Sequence, residues 1–416
     1  MADADSDKLP ATAGEPAAAS DDTSPTSTAA LAPVPALPDL ATARPESAPP
    51  PLAPAPAPGT KALERPPAAQ AQAPAPHTQD IADRTALILI DIGEPDDARD
   101  VKPFLRRLYA DHRAFDSPLG AFGRQLFTSL LRPTAARDLT RALARVGGHS
   151  PLRDELSGLA SRLCDRLNAR GDLPLFVPFV AFQFATPSIE QVICELSGQG
   201  FTQVVALWAR PFPSRLTASA RETLLRCADE RGAPPAVFIE RWLTPDAAAA
   251  TLGAIARDVL ATLTEHERAL AHLCFALQAL PIDGDRDPTL AEARGLAALA
   301  LESAGIANDY SVVYLGALEP RAPLAPTYED LFDLLKPTRP PLVTIPLCHL
   351  VDDLTSLGEL DGDLTVEAQR RGFSPFRRAP MAGTRDELLA ALETATLDQL
   401  VRSNEFREET SSARGR

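Results

Sequence analysis

The chain has 416 residues, with 41 Lys and Arg against 56 Asp and Glu, for a formal net charge of −15. A field this acidic argues against sequence-independent nucleic-acid binding, which needs positive charge to displace counterions. Hydrophobic residues, at 45%, are enough for a sizeable core, whereas aromatics at 5% and six His leave few flat rings or imidazoles for cofactor work.

Five scattered cysteines (Cys164, Cys194, Cys227, Cys274 and Cys348) form no C-x-x-C pair and are odd in number. That pattern fits a reducing compartment rather than a disulfide framework or a zinc knuckle. The start, Met1-Ala-Asp-Ala-Asp5, is acidic where a secretory signal is basic, and no apolar run approaches the ~18 residues of a membrane span. These features predict a soluble, cytoplasmic protein with no transmembrane segment.

Residues 1–84 hold 17 of the 41 prolines and are rich in Ala, Ser and Thr. Such a composition cannot bury a core and favours extended, polyproline-like chain, so it predicts a disordered arm. The arm is either a solvated spacer or a segment that docks a protein partner. It carries 5 basic and 11 acidic residues, hence −6, which leaves −9 on the remainder.

Order is predicted to begin at Thr85. The run 86–93 is continuously apolar and ends in Gly93, as expected of a strand covered on both faces. Similar runs lie at 175–179, 204–207, 273–277, 311–315 and 342–347. Helical patterns fall between them. One, at 188–197, follows Thr186-Pro187, read as a cap with proline in the first turn. Others cover 290–303, Tyr328–Leu335 and 385–400, the last with Thr384 as its cap. Strands alternating with helices predict parallel sheets with helices on both faces, and six or more strands fit two sheets better than one. Gly93 stands alone, without a dinucleotide or phosphate-loop pattern, and no nucleophile elbow or H-E-x-x-H is present.

Taken in order, the landmarks of the body resemble the ferrochelatase family, enzymes that insert Fe²⁺ into a porphyrin. Residues 86–95, Ala-Leu-Ile-Leu-Ile-Asp-Ile-Gly-Glu-Pro, are similar to that family's LLLVNLGTP. Residues 101–108 resemble its V-x-x-[FY]-L-R-x-[FL], and Val146-Gly-Gly-His-Ser-Pro-Leu152 its GGGSPL turn. Pro187-Ser-Ile-Glu190 resembles PSIEEAL, Leu277-Gln-Ala-Leu-Pro281 occupies the place of AHGLP, and residues 345–361 that of VPIGFVSDHIETLYELD.

The resemblance implies a chelatase-like α/β fold of two Rossmann-like domains, each with a parallel sheet flanked by helices and with porphyrin held between them. It places them at residues 85–245 and 246–402, with the last helix packing back across the body and a disordered tail at 403–416. No cysteine follows Cys348, so the iron–sulfur cluster of some members is excluded. No resident cofactor is expected. Iron and porphyrin are substrates if the chain is active.

The resemblance also implies which residues carry the chemistry. Metal insertion removes two pyrrole protons, so a base must sit within hydrogen-bond reach, and a carboxylate opposite attracts the cation. The family's His falls at Gln278 and its Glu at Thr355, neither of which titrates near neutral pH. Asp352 keeps its place beside Asp353, which replaces a second His. Of the ring-contacting segments, LPLYPQYS becomes Leu207-Trp-Ala-Arg-Pro-Phe-Pro-Ser214 and RYGxPS becomes Gln183-Phe-Ala-Thr-Pro-Ser188, while the DPY turn keeps Asp287-Pro288 with Thr289 for Tyr. Backbone-shaping residues persist and cleft-facing polar residues do not, which predicts a chelatase scaffold that is catalytically degenerate or repurposed.

Candidate ligand contacts are Arg210, suited to a carboxylate, together with Trp208, Phe184 and Ser214. The alternative for Arg210 is a surface ion pair, and for Trp208 a place in the core. Cys348 and His349 with Asp352 and Asp353 form a lesser candidate metal group, against packed core residues. Three functions follow: binding of a tetrapyrrole or a partner without catalysis; an active ferrochelatase or coproporphyrin ferrochelatase with a rearranged site, using Asp352 or Asp353 as base and Arg210 to hold the ring; or a protein-interaction scaffold.

Overall fold

A computed structural model describes residues 83–113, 120–281, 288–317 and 324–414. The Pro-rich arm up to residue 82, and Asp287 of the turn, lie outside the described residues. The chain runs β1 (Arg84–Asp91), α1 (Val101–Ala110), α2 (Gly120–Arg145), α3 (Leu152–Asn168), β2 (Leu175–Phe182), α4 (Ile189–Leu196), β3 (Phe201–Trp208), α5 (Arg215–Arg231) and β4 (Ala236–Ile239). It continues with α6 (Pro245–Ala261), α7 (Glu265–Leu270), β5 (His272–Ala279), α8 (Pro288–Ala304), β6 (Tyr310–Ala317), α9 (Tyr328–Leu335) and β7 (Leu342–Pro346). A π-helix (Ser356–Leu364), α10 (Thr365–Arg370), β8 (Phe376–Arg378), a short 3₁₀ turn (Ala382–Thr384) and α11 (Asp386–Arg414) complete it.

Two four-stranded parallel sheets result, in the orders β2-β1-β3-β4 and β6-β5-β7-β8. The predicted two-sheet α/β architecture is therefore observed. In each sheet the first strand in sequence lies inside, which is why β1 and β5 are apolar almost throughout. Pro178 sits within β2, where an edge strand tolerates the missing donor. Helices cover both sheets, and α11 packs against both α3 and α6. Its Leu388, Leu389, Leu392 and Leu400 join the core of the first sheet.

Several local expectations are corrected. β4 and β8, of four and three residues, escaped the pattern because they are too short to show a period. α4 is capped by Ser188 rather than Thr186. The Ser188 hydroxyl accepts from Gln191 N at 3.2 Å, and Gln191 Oε1 accepts from Ser188 N at 2.8 Å, a reciprocal capping box. α11 starts at Asp386, after the 3₁₀ turn. It continues to Arg414 through the stretch expected to be a disordered tail, which contains neither Pro nor Gly before residue 415. β1 begins at Arg84, one residue inside the predicted arm.

Two glycines set the backbone around the cleft end of the sheets. Gly93, just after β1, has φ +83°, and a Cβ there would lie 2.7 Å from Ala185 Cβ. Gly383 supports the seam between the halves, where a Cβ would lie 2.6 Å from Val351 Cγ1 and 2.7 Å from Leu350 O.

Candidate active site

Ligand sites of parallel α/β sheets form beyond the carboxyl ends of the strands. Here those ends bring together Asp91 from β1, Arg210 just past β3, Gln278 from β5, and Cys348 and His349 just past β7. Arg210 is the centre of the group. Its Nε lies 2.8 Å from Asp91 Oδ2, and its second terminal nitrogen donates to Asp91 Oδ1 at 3.0 Å. The other terminal nitrogen donates to Gln278 Oε1 across the gap between the two sheets. Arg210 is 3% exposed and Asp91 1%. The guanidinium is thus neither a surface ion pair nor open to a ligand carboxylate. It is buried and already paired, and Asp91 also accepts from Gly93 N at 2.9 Å.

A second group lies one step along the seam. His349 Nε2 stands 2.9 Å from Asp353 Oδ2, both side chains being almost wholly buried. Asp353 Oδ1 accepts from Ser356 N at 2.8 Å. Burial alone would raise the Asp353 carboxyl, but attraction and hydrogen bonding from His349, the Ser356 amide and the Arg210 charge bring it below its ordinary value. Asp352 faces elsewhere: it accepts from Arg378 at 3.0 Å and from Ser356 Oγ at 2.9 Å, and Arg378 also clamps Asp361 at 2.6 and 2.8 Å. Thr355 is the residue before the π-helix and makes no capping bond with its side chain.

A cleft open to solvent, spanning about 390 Å³ with its open part, lies between the sheets, framed by Arg210, Phe212, Ser214, Gln278, Tyr314 and Cys348. Among the described residues no carboxylate or imidazole lines it. Tyr314 Oη is buried at its wall without a hydrogen-bond partner among the described residues. Burial, and secondarily the Asp353 charge, pushes the Cys348 thiol well above its ordinary value, so it stays protonated. Of the residues expected to hold a ligand, Arg210 and Ser214 reach the cleft. Trp208 and Phe184 do not: they are 0% and 3% exposed and belong to the first core, where Trp208 leans on Phe238.

The lesser metal candidates are corrected too. His349 is committed to Asp353, the Cys348 thiol is protonated, and Asp352 is tied to Arg378. Among the described residues no group of three or more His, Cys, Asp or Glu is placed to hold a metal ion.

Asp91 and Glu94 escaped the sequence reading. Glu94 is half-buried, with its carboxyl turned into the seam, where it accepts from Leu354 N at 3.0 Å and from the Ser150 hydroxyl. Burial first, and the Asp353 charge second, raise it well above the ordinary carboxylate range. Both residues stand where the LLLVNLGTP pattern has Asn and Thr, so the signal was a change of residue type in a motif that otherwise fits.

The ferrochelatase family model matches residues 84–400. The ferrochelatase of Geotalea uraniireducens (strain Rf4) is 28% identical over 316 residues, covering 73% of this chain and 93% of its own length. That of Synechococcus sp. (strain RCC307) is 28% identical over 320 residues, covering 74% and 81%. Among solved structures, SirB from Bacillus subtilis with Fe³⁺ is 12% identical with a TM-score of 0.47, over 77% of this chain and 98% of that one. The matched span takes in both sheets, from the first residue of β1 to Leu400 in α11, and the chain belongs to the ferrochelatase family.

Proposed function

We propose that this protein binds a tetrapyrrole in the cleft between its two sheets and does not insert a metal by the family's usual route. The observation that carries the reading is the Asp91–Arg210–Gln278 group. Where the family pattern has a base, Gln278 has a carboxamide whose oxygen is engaged by a buried guanidinium. A carboxamide cannot take the pyrrole protons, and the buried Asp91 carboxylate is already neutralised by Arg210, so it is not free to draw in Fe²⁺. The ring-deforming chemistry therefore lacks both its proton acceptor and its anionic guide. The Tyr314 hydroxyl at the wall, buried and without a partner among the described residues, supports occupancy by a ligand that supplies one, since buried hydroxyls rarely stay unbonded.

The structure offers little to the rearranged-site reading, because Asp352 and Asp353 are tied to Arg378 and His349 and neither lines the cleft. Adding free-base porphyrin to the purified chain is expected to shift the Soret band. Adding Fe²⁺ or Zn²⁺ under anaerobic conditions is expected to yield metalloporphyrin no faster than in buffer. Insertion above the buffer rate would overturn the non-catalytic reading, and an unshifted Soret band would overturn tetrapyrrole binding in favour of an interaction scaffold recruited through the Pro-rich arm.

A further inference from the structure

Glu94 plays no part in that reading, yet it occupies an unusual place. The segment that leaves the cleft at Cys348 carries Leu350, Val351 and Leu354, which pack not on their own sheet but in the core of the first one. Glu94 sits where this segment crosses the seam. One carboxyl accepts from both sides: from the Ser150 hydroxyl in the first half and from Leu354 N in the crossing segment. Among the described residues no cation bonds to it.

The charges around it are accounted for. On the cleft side Asp91 and Asp353 repel it, while Arg210 is committed to Asp91 and His349 to Asp353. On the outer side Asp96 is paired with Arg153, Arg107 donates to the Phe184 carbonyl, and Asp100 adds another negative charge to the small pocket they share. An ionised Glu94 would thus be a third carboxylate beside two, in a place with no counter-ion to spare. A neutral Glu94 suffers neither the repulsion nor the desolvation of charge.

We propose that Glu94 is a pH-sensitive latch between the two halves: with its proton it ties the 350–354 segment to the first half, and on losing the proton to solvent it releases that segment. Burial raising this carboxyl is consistent with the proton leaving above the ordinary carboxylate range. The sign is fixed by that direction. The tie is complete below the ordinary value of an exposed Glu and weakens as pH rises through the raised one.

Hydrogen exchange of the full chain, read by mass spectrometry on peptides covering 350–356 and corrected for intrinsic rates, tests the latch without any ligand. One proton released per opening predicts that protection of this segment falls up to about tenfold per pH unit above the Glu94 titration. Protection of β3 in the same molecule should stay flat. Glu94→Gln keeps an acceptor for Leu354 N and Ser150 but cannot ionise, so its protection should not fall with pH. Equal pH slopes in the two proteins would overturn the proposal. So would a flat profile in the wild-type protein, which needs no variant to fold.

Discussion

Replacing Arg210 by methionine tests whether the cleft floor is a structural ion pair. The guanidinium contacts Asp91 at 2.8 and 3.0 Å, and the two residues are 3% and 1% exposed. In Arg210→Met the Asp91 carboxylate keeps only the Gly93 amide at 2.9 Å, so a charge remains buried without a counter-ion. Breaking such a pair from one side costs about 3–5 kcal/mol. At roughly 2–4 °C per kcal/mol for a domain of this size, the unfolding midpoint falls by about 6–20 °C. The double variant Asp91→Asn with Arg210→Met removes both charges and should recover most of the loss, because a well-packed neutral replacement of a buried pair is often neutral. Urea unfolding followed by circular dichroism on the wild type, both single variants and the double variant closes a thermodynamic cycle. If Arg210→Met costs less than about 1 kcal/mol, or the double variant equals the sum of the singles, the pair does not hold the cleft floor.

Restoring the family residues alone, Gln278→His with Thr355→Glu, should leave porphyrin metallation at background, because Arg210 still stands at position 278; metallation measured by loss of free-base porphyrin fluorescence checks this, and a rate above background would show that two residues suffice. His349→Gln should cost about 1–3 kcal/mol, since the buried Asp353 carboxyl loses the ring nitrogen 2.9 Å from it. The depressed Asp353 carboxyl contributes stability above the ordinary Asp value and loses it as pH falls through the depressed one, so the wild-type midpoint should drop on that acid limb and the variant's should drop less. Among the thiols, exposed Cys194 should alkylate first, whereas Cys164 and Cys274, both pushed to about 12 by burial, should react only on unfolding; mass spectrometry after timed iodoacetamide exposure decides it.

The architecture was legible because it depends on residue class. The apolar runs of β1 and β5 and the Ala- and Leu-rich stretch of α8 report burial, and burial of both sheet faces leaves few alternatives to two parallel sheets. What was not legible depends on which side chain meets which. Position 210 could be read as basic, and position 91 as the end of a strand. Their contact joins residues 119 positions apart and exists only once β1 and β3 lie side by side. Trp208, open in the sequence to either ring contact or the core, is the complementary case. A tryptophan near a cleft motif suggests stacking, but the alternation of β3 turns this one into the first core. β8 was lost to its length.

The contacts at the cleft end also bear on how the chain departs from its family. Against the motifs quoted above, Asp91 stands for Asn, Arg210 for Tyr, Gln278 for His, His349 for Phe and Asp353 for His. Independent erosion of a site would leave some of these groups buried without partners, at about 1–3 kcal/mol each. Instead most of them pair with one another, Arg210 with Asp91 and Gln278 and His349 with Asp353, while His349 Nδ1 stays buried without a hydrogen-bond partner among the described residues. The Arg210 guanidinium lies against an anion absent from the quoted pattern, and His349 and Asp353, which touch, both depart from it. Those contacts give a cleft floor on which the buried Arg210 charge is compensated by Asp91. Under the proposed non-catalytic reading, two reversions should leave metallation at background because Arg210 still reaches residue 278 and His349 still lies against residue 353.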